Sequence, residues 1–229
     1  PGLSVSRSAA TRAGRVLRDD PDRHSYEEYQ SAFKTAQQWR AMHGEPTKSC
    51  FECVLKCSNQ CSQSIATYRL KRMKSIIGKI RRRGSNFKLG ELDDIGGCRL
   101  IVKTNDDAKK AAKCLLSHFP LKNDNKAQKD YILHPAKSGY RSRHLLTNIV
   151  TNHGTYHIEI QIRTELQHYW ATAIEATDEI YGTEYKNTGA GAYSSKIDTE
   201  RMKFFAIVSS LFALKEHSPQ VPGFISDED

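Results

Sequence analysis

The chain has 229 residues, 38% of them apolar and 27% charged, with a mean hydropathy of −0.63. That length supports one packed core or two small ones, and no apolar run approaches the roughly 20 residues that span a bilayer, so a membrane protein, a disordered chain and a small disulfide scaffold are excluded. Thirty-five lysines and arginines against 26 acids leave a net charge of +9, which points to a polyanionic partner.

The opening, PGLSVSRSAATRAGR, lacks the apolar stretch of a secretory signal and has no Met, so it reads as a processed end or the edge of a domain. Residues 1–22 are polar and are expected to be a flexible N-terminal segment or a short helix. From Tyr26 to about His43, Tyr29, Phe33, Ala36 and Trp39 recur at helical spacing. GEP at 44–46 breaks the pattern. A second helix is expected over about Thr47–Gln63, running into or kinking before a third at about Ile65–Arg83, with Gly84 as its C-cap.

Six cysteines are present, four of them in the array Cys50, Cys53, Cys57 and Cys61. Without a secretion signal a disulfide framework is not expected. On a helix the four thiols share one face and pack as small hydrophobes. A straight helix cannot wrap four ligands around one tetrahedral ion, which weighs against a zinc or iron–sulfur site.

Between Arg69 and Arg83 stand eight lysines and arginines with no acid among them. Met73, Ile76, Ile77 and Ile80 make an apolar helical face. Lys71, Ser75 and Lys79 form an i, i+4, i+8 ladder that suits phosphate oxygens; a solvated basic helix is the plain alternative.

Beyond Gly90 the texture changes. In LDDIGGCRLIV, Gly96 and Gly97 let backbone approach a ligand, Arg99 lies on a strand, and Asp94 just before it is either a turn residue or a Mg²⁺ ligand. A helix is expected at about Asp106–Phe119, then strands at Lys129–Leu133, Arg143–Val150 and Thr155–Arg163. The loop HPAKSGYRSRH places Tyr140, Ser142 and His144 on one face. With Lys137, Arg141 and Arg143 nearby, it either stacks a base and holds phosphates or is an ordinary basic hairpin. Along the last strand Glu159, Gln161 and Arg163 alternate with Ile158, Ile160 and Ile162. A polar face of that kind needs water or a ligand. A helix from Glu165 to about Tyr181 is expected to turn Trp170 and Ala173 to the core. GTEYKNTGAGAYSS reads as a loop. A last helix over Ile197–Glu216 carries Phe204, Phe205, Val208, Leu211 and Phe212. The plan is α+β: a small mixed sheet flanked by N- and C-terminal helices, one domain over 23–216 with a disordered acidic tail at 217–229.

Four segments, RLKRMKSIIGK, DDIGGCRLIV, DYILHPAKSGYRSRH and EIQIRTELQHYWA, stand in the order of the RelA/SpoT synthetase domain, and from Tyr68 to Trp170 the chain resembles that family. The resemblance implies a nucleotidyltransferase-like fold and a small stand-alone enzyme. It implies transfer of pyrophosphate from ATP to the 3′-hydroxyl of GDP or GTP, giving ppGpp or pppGpp. A toxin-like member that modifies the 3′ end of tRNA, an adenine nucleotide acceptor and a non-catalytic nucleotide- or RNA-binding module are the alternatives. It further implies that Arg69 stacks on adenine, that Lys71, Ser75, Lys79 and Arg99 serve ATP, and that Asp94 and Glu159 hold Mg²⁺. Glu159 would also help deprotonate the acceptor, with Lys71 and Lys79 among the catalytic groups. Tyr140 would stack on the acceptor base, and Lys137, Arg141, Ser142, His144, Gln161 and Arg163 would bind the rest of it. Lys109 or Lys110 would stand for a second adenine-stacking cation. A cytoplasmic location, no membrane contact, and an antitoxin or further copies of the chain as candidate partners complete the expectation.

Overall fold

A computed structural model describes residues 4–82, 86–119, 128–187 and 195–222. Its centre is a five-stranded mixed sheet in the order β1-β2-β5-β4-β3. The strands are β1 (Ser64–Leu70), β2 (Gly96–Val102), β3 (Gln128–Asp130), β4 (Arg143–Thr151) and β5 (Gly154–Thr164). β2 and β5 run parallel, with Gly97 opposite Glu159 and Arg99 opposite Gln161. The other neighbours are antiparallel, β1 placing Arg69 opposite Gly97 and β4 placing His144 opposite Gln161.

Alternation along the strands gives the sheet two unlike faces. Cys98, Leu100, Val102, Leu145, Ile158, Ile160 and Ile162 are buried on one side. Against them pack α3 (Gly44–Ser58) and α5 (Asn105–His118), through Cys50, Val54 and Cys57 on α3 and Ala108, Ala111, Ala112 and Leu115 on α5. Gly96 is the point of closest approach: a Cβ there would sit 2.1 Å from Thr47 Oγ1 and 2.8 Å from Ile158 Cδ1. This glycine therefore serves helix–sheet packing and not ligand approach; the open position is Gly97, on the other face.

A second apolar cluster joins α1 (Arg7–Arg18), α2 (Tyr26–Ala41) and α4 (Met73–Arg81). The N-terminal segment, expected to be flexible or a short helix, forms α1. Ser6 caps it by accepting from the Ala9 amide at 3.1 Å, and Ala10, Ala13, Gly14 and Leu17 are buried at i, i+3, i+4 and i+7. Small side chains carry that face, which is why composition alone makes the segment look loose.

The largest departure lies at residues 64–70, expected as helix and found as strand β1. Thr67, Tyr68 and Ile65 favour a pleated, half-buried surface, and β2 supplies the partner. The Lys71 amide donates to the Ile95 carbonyl at 2.7 Å, and Arg40 Nε donates to the Lys71 carbonyl at 2.6 Å. Lys71 thus precedes α4 and is not part of a continuous helical ladder. α4 ends at Arg81; Gly84 lies outside the described residues.

α6 (Glu165–Tyr181) and α7 (Lys196–Lys215) close the far side. Thr164 and Gln167 form a reciprocal capping box at the start of α6. Trp170 is buried as expected, but Ala171 and Ile174, not Ala173, accompany it. α7 buries Met202, Phe205 and Ala206 and leaves Phe204 and Leu211 exposed. Val221 is buried, so order reaches past 217; residues 223–229 of the expected tail lie outside the described residues. Cys57 and Cys114 are joined in a disulfide between α3 and α5, against the expectation of reduced thiols. Among the described residues no helix is long and apolar enough to cross a membrane.

Candidate active site

The polar face of the sheet carries Arg69 and Thr67 from β1, Arg99 from β2, Glu159, Gln161 and Arg163 from β5 and His144 from β4, all brought to one side by register. Two clusters stand on it.

The first surrounds Asp94, which enters β2 through Ile95. Its Oδ2 accepts from Lys71 Nζ at 2.9 Å and from Lys79 Nζ at 2.8 Å. The β1–α4 junction and the second turn of α4 therefore converge on one carboxylate oxygen. Its Oδ1 is buried without a hydrogen-bond partner. Burial raises the Asp94 pKa, but the charges of Lys71 and Lys79 outweigh it, and the group lies below the ordinary carboxylate value. A buried anionic oxygen with no donor fits a cation ligand. Arg69 and Ser75 are exposed beside this cluster.

The second is a closed ring of hydrogen bonds. Arg163 Nη2 donates to the Tyr140 hydroxyl at 3.2 Å and to Gln161 Oε1 at 2.5 Å. Gln161 Nε2 donates to Glu159 Oε2 at 2.7 Å. His144 Nδ1 lies 2.9 Å from Glu159 Oε1, and its Nε2 lies 2.7 Å from the Tyr140 hydroxyl. Because a carboxylate only accepts, Nδ1 carries the proton. Burial alone would raise the Glu159 pKa; the hydrogen bond and charge of His144, the Gln161 amide and the Lys79 charge lower it to about 2. Lys79 thus acts on both acids.

The Tyr140 ring is 6% exposed. Lys186 Nζ stands 4.9 Å from its centroid and the Arg163 guanidinium 5.6 Å, and Lys186 is paired with Glu175. Burial lowers the Lys186 pKa while Glu175 opposes that shift. Burial and the neighbouring Arg163 likewise lower the pKa of Arg99. Lys186 and Glu175 are members of the site that sequence reasoning missed, because Lys186 falls in a stretch that reads as loop and has no periodic partner.

Three expected acceptor groups are not in the ring. Arg141 is buried under α7, its Nε donating to Ser209 Oγ at 2.9 Å and its Nη1 to the Ile132 carbonyl at 3.4 Å. Burial lowers its pKa to about 10. Ser142 is fully buried and donates to the Ile162 carbonyl at 3.1 Å. Lys137 is exposed on the loop. Arg143 pairs with Asp130. Lys109 and Lys110 sit on α5, across the sheet, and cannot serve this face.

A family model described as "Region found in RelA / SpoT proteins" matches residues 68–188, the stretch that holds nearly every residue of both clusters. GTP pyrophosphokinase YwaC of Bacillus subtilis (strain 168) is 35% identical over 112 residues, covering 45% of this chain and 52% of that protein. A probable chloroplastic GTP diphosphokinase of Arabidopsis thaliana is 38% identical over 106 residues, covering 45% of this chain and 14% of that one. The chain thus spans about half or less of the curated relatives it matches. Among solved structures, small alarmone synthetase 1 from Bacillus subtilis, described as bound to its product pppGpp, aligns with a TM-score of 0.61 at 24% identity, over 79% of this chain and 96% of that one. The fold is shared with that structure, and the chain belongs to the RelA/SpoT family.

Proposed function

We propose that the chain transfers the β,γ-diphosphate of ATP to the 3′-hydroxyl of GDP or GTP, forming ppGpp or pppGpp and releasing AMP. The observation that carries the reading is Asp94: one oxygen gripped by Lys71 and Lys79, the other buried and unpartnered, at the mouth of β2, where Gly97 stands opposite a second ionised acid, Glu159 of β5. The names of the curated relatives support the same reaction.

Charge grows on the phosphate oxygens as the 3′-oxygen attacks the β-phosphorus and the bond to the α-phosphate oxygen breaks. Lys71 and Lys79 supply cations there, with Arg69, Ser75 and Arg99 placed to orient the rest of ATP. Asp94 and Glu159 would hold Mg²⁺, whose role is to neutralise charge on the transferring phosphates. Glu159, held ionised by His144 and Gln161, accepts the hydrogen bond of the attacking hydroxyl. So acidic a carboxylate orients the hydroxyl and takes its proton late, as the new P–O bond forms. The acceptor base takes the face of Tyr140 now covered by Lys186. Arg141 and Ser142 hold the loop that carries Tyr140. The same reading places the enzyme in the cytoplasm, where both nucleotides are found.

The test is incubation with γ-labelled ATP and Mg²⁺ plus GDP, GTP, ADP or deacylated tRNA, followed by separation of products. Label in a guanosine tetra- or pentaphosphate, with AMP released in equal amount, is expected. Label on tRNA or on an adenine nucleotide overturns the acceptor, and unlabelled products throughout overturn the reaction.

A further inference from the structure

On the sheet face opposite the proposed active site, two helices each offer a pair of metal-binding side chains one turn apart. Cys53 and Cys57 lie on α3, Cys114 and His118 on α5. We propose that in the reduced protein Cys53, Cys57, Cys114 and His118 form a tetrahedral site for a zinc ion that clamps α3 to α5.

The Cys53 and Cys57 sulfurs and a His118 ring nitrogen already lie within 4.8 Å of one another, and Cys114 is bonded to Cys57. Zinc–sulfur bonds of about 2.3 Å and zinc–nitrogen bonds of about 2.0 Å set tetrahedral donor atoms roughly 3.5–3.8 Å apart, so small side-chain rotations close the site. The surroundings are prepared for it. His118 Nδ1 lies 2.8 Å from the Cys114 carbonyl. A carbonyl only accepts, so Nδ1 carries the proton and Nε2 keeps its lone pair, the arrangement that fixes a metal-binding imidazole. Gln60 Nε2 donates to Cys114 Sγ at 3.4 Å, a hydrogen bond that strengthens when the sulfur becomes a thiolate. Cys57 is buried, Cys53 and Cys114 half-buried and His118 exposed, which leaves an entry path from solvent.

The other cysteines are committed elsewhere. Cys50 and Cys98 are free thiols buried in the core, Cys98 donating to the Thr47 carbonyl at 3.7 Å, and Cys61 donates to the Asp107 carbonyl at 3.8 Å. The four-cysteine array of one helix is therefore split, and two of its members find their remaining ligands on another.

Disulfide and metal site are alternative states of the same residues. A phosphine reductant gives two electrons to the Cys57–Cys114 bond and becomes the phosphine oxide, water supplying its oxygen and the two thiol protons. Zinc then displaces protons from three thiols, and the neutral imidazole completes the set.

The whole chain, reduced with a phosphine and freed of metal, is titrated with Co²⁺ and then with Zn²⁺. The expected result is one Co²⁺ per chain, with the intense visible bands of tetrahedral cobalt and thiolate-to-cobalt charge transfer, bleached by one equivalent of Zn²⁺. Cys53→Ser abolishes the bands, His118→Ala weakens binding at least about tenfold, and Cys61→Ser leaves both unchanged. Absence of tetrahedral bands in the reduced protein overturns the proposal. So does their persistence in His118→Ala at wild-type affinity, an exposed position whose variant keeps the fold, or their loss in Cys61→Ser.

Discussion

His144 and Glu159 face one another diagonally across β4 and β5, ring Nδ1 2.9 Å from Oε1. The contact links acidity to fold. Glu159 has its pKa depressed from 4.5 to about 2 in the folded chain, so it contributes stability that is fully present above its unfolded value and lost as pH falls through about 2. The side chain is 24% exposed, and the shift corresponds to about 3 kcal/mol. Glu159→Gln is expected to be less stable than wild type at pH 7. That gap should narrow between pH 4.5 and about 2, measured by denaturant unfolding at each pH. A gap that stays constant with pH removes the ion pair from the account. The same variant is expected to lose transfer.

Asp94→Asn tests the donor cluster. The amide keeps the shape but releases Lys71 and Lys79 from their shared carboxylate. Turnover with Mg²⁺ is expected to fall by about 10²-fold or more, while ATP binding without a divalent cation holds or tightens, because two ammonium groups are freed. Steady-state rates and calorimetric titration read the two effects. Turnover within threefold of wild type counts against Asp94.

Tyr140→Phe opens the ring at one oxygen. His144 Nε2 and Arg163 Nη2 each lose a hydrogen-bond partner, while the aromatic face remains. Loss of such a bond is worth about 0.5–1.5 kcal/mol, so turnover is expected to drop roughly 2- to 10-fold with acceptor KM nearly unchanged. Tyr140→Ala should raise acceptor KM as well. Equal acceptor KM in both variants removes the stacking role.

Arg141→Ala is expected to act on stability, not on recognition. Its guanidinium bonds Ser209 and the Ile132 carbonyl beneath α7, so removal takes one donor from each, though Ser209 keeps its bond to the Gly139 carbonyl, at a cost of about 1–3 kcal/mol. A lowered Tm with near-normal acceptor KM is expected. An unchanged Tm with a raised acceptor KM would restore it to the binding loop.

Much of the candidate site is legible in sequence. Strict alternation of Glu159, Gln161 and Arg163 with Ile158, Ile160 and Ile162 fixes both faces of β5, and the structure places them so. The spacing of Asp94 from its glycines marks the mouth of β2. Residues 64–70 mislead because their basic, partly apolar pattern also fits a helix; only pairing with β2 selects the strand. Gly96 and Gly97 look equivalent in sequence, yet one meets Thr47 and the other the open face. Arg141 reads as an acceptor ligand, with Arg143 beside it, because a basic loop does not reveal the Ser209 and Asp130 with which they pair. Lys186 lies 23 residues beyond Arg163, its nearest ring partner in the chain, and no periodicity links it to Tyr140.

The two-sidedness of β5 also limits how the strand can vary. Removing or adding a single residue between Gly154 and Ile158 would swap its sides, driving a carboxylate, an amide and a guanidinium into oil and three isoleucines into the water-facing cleft. The strand tolerates changes of length only in pairs, while each side chain can be exchanged on its own.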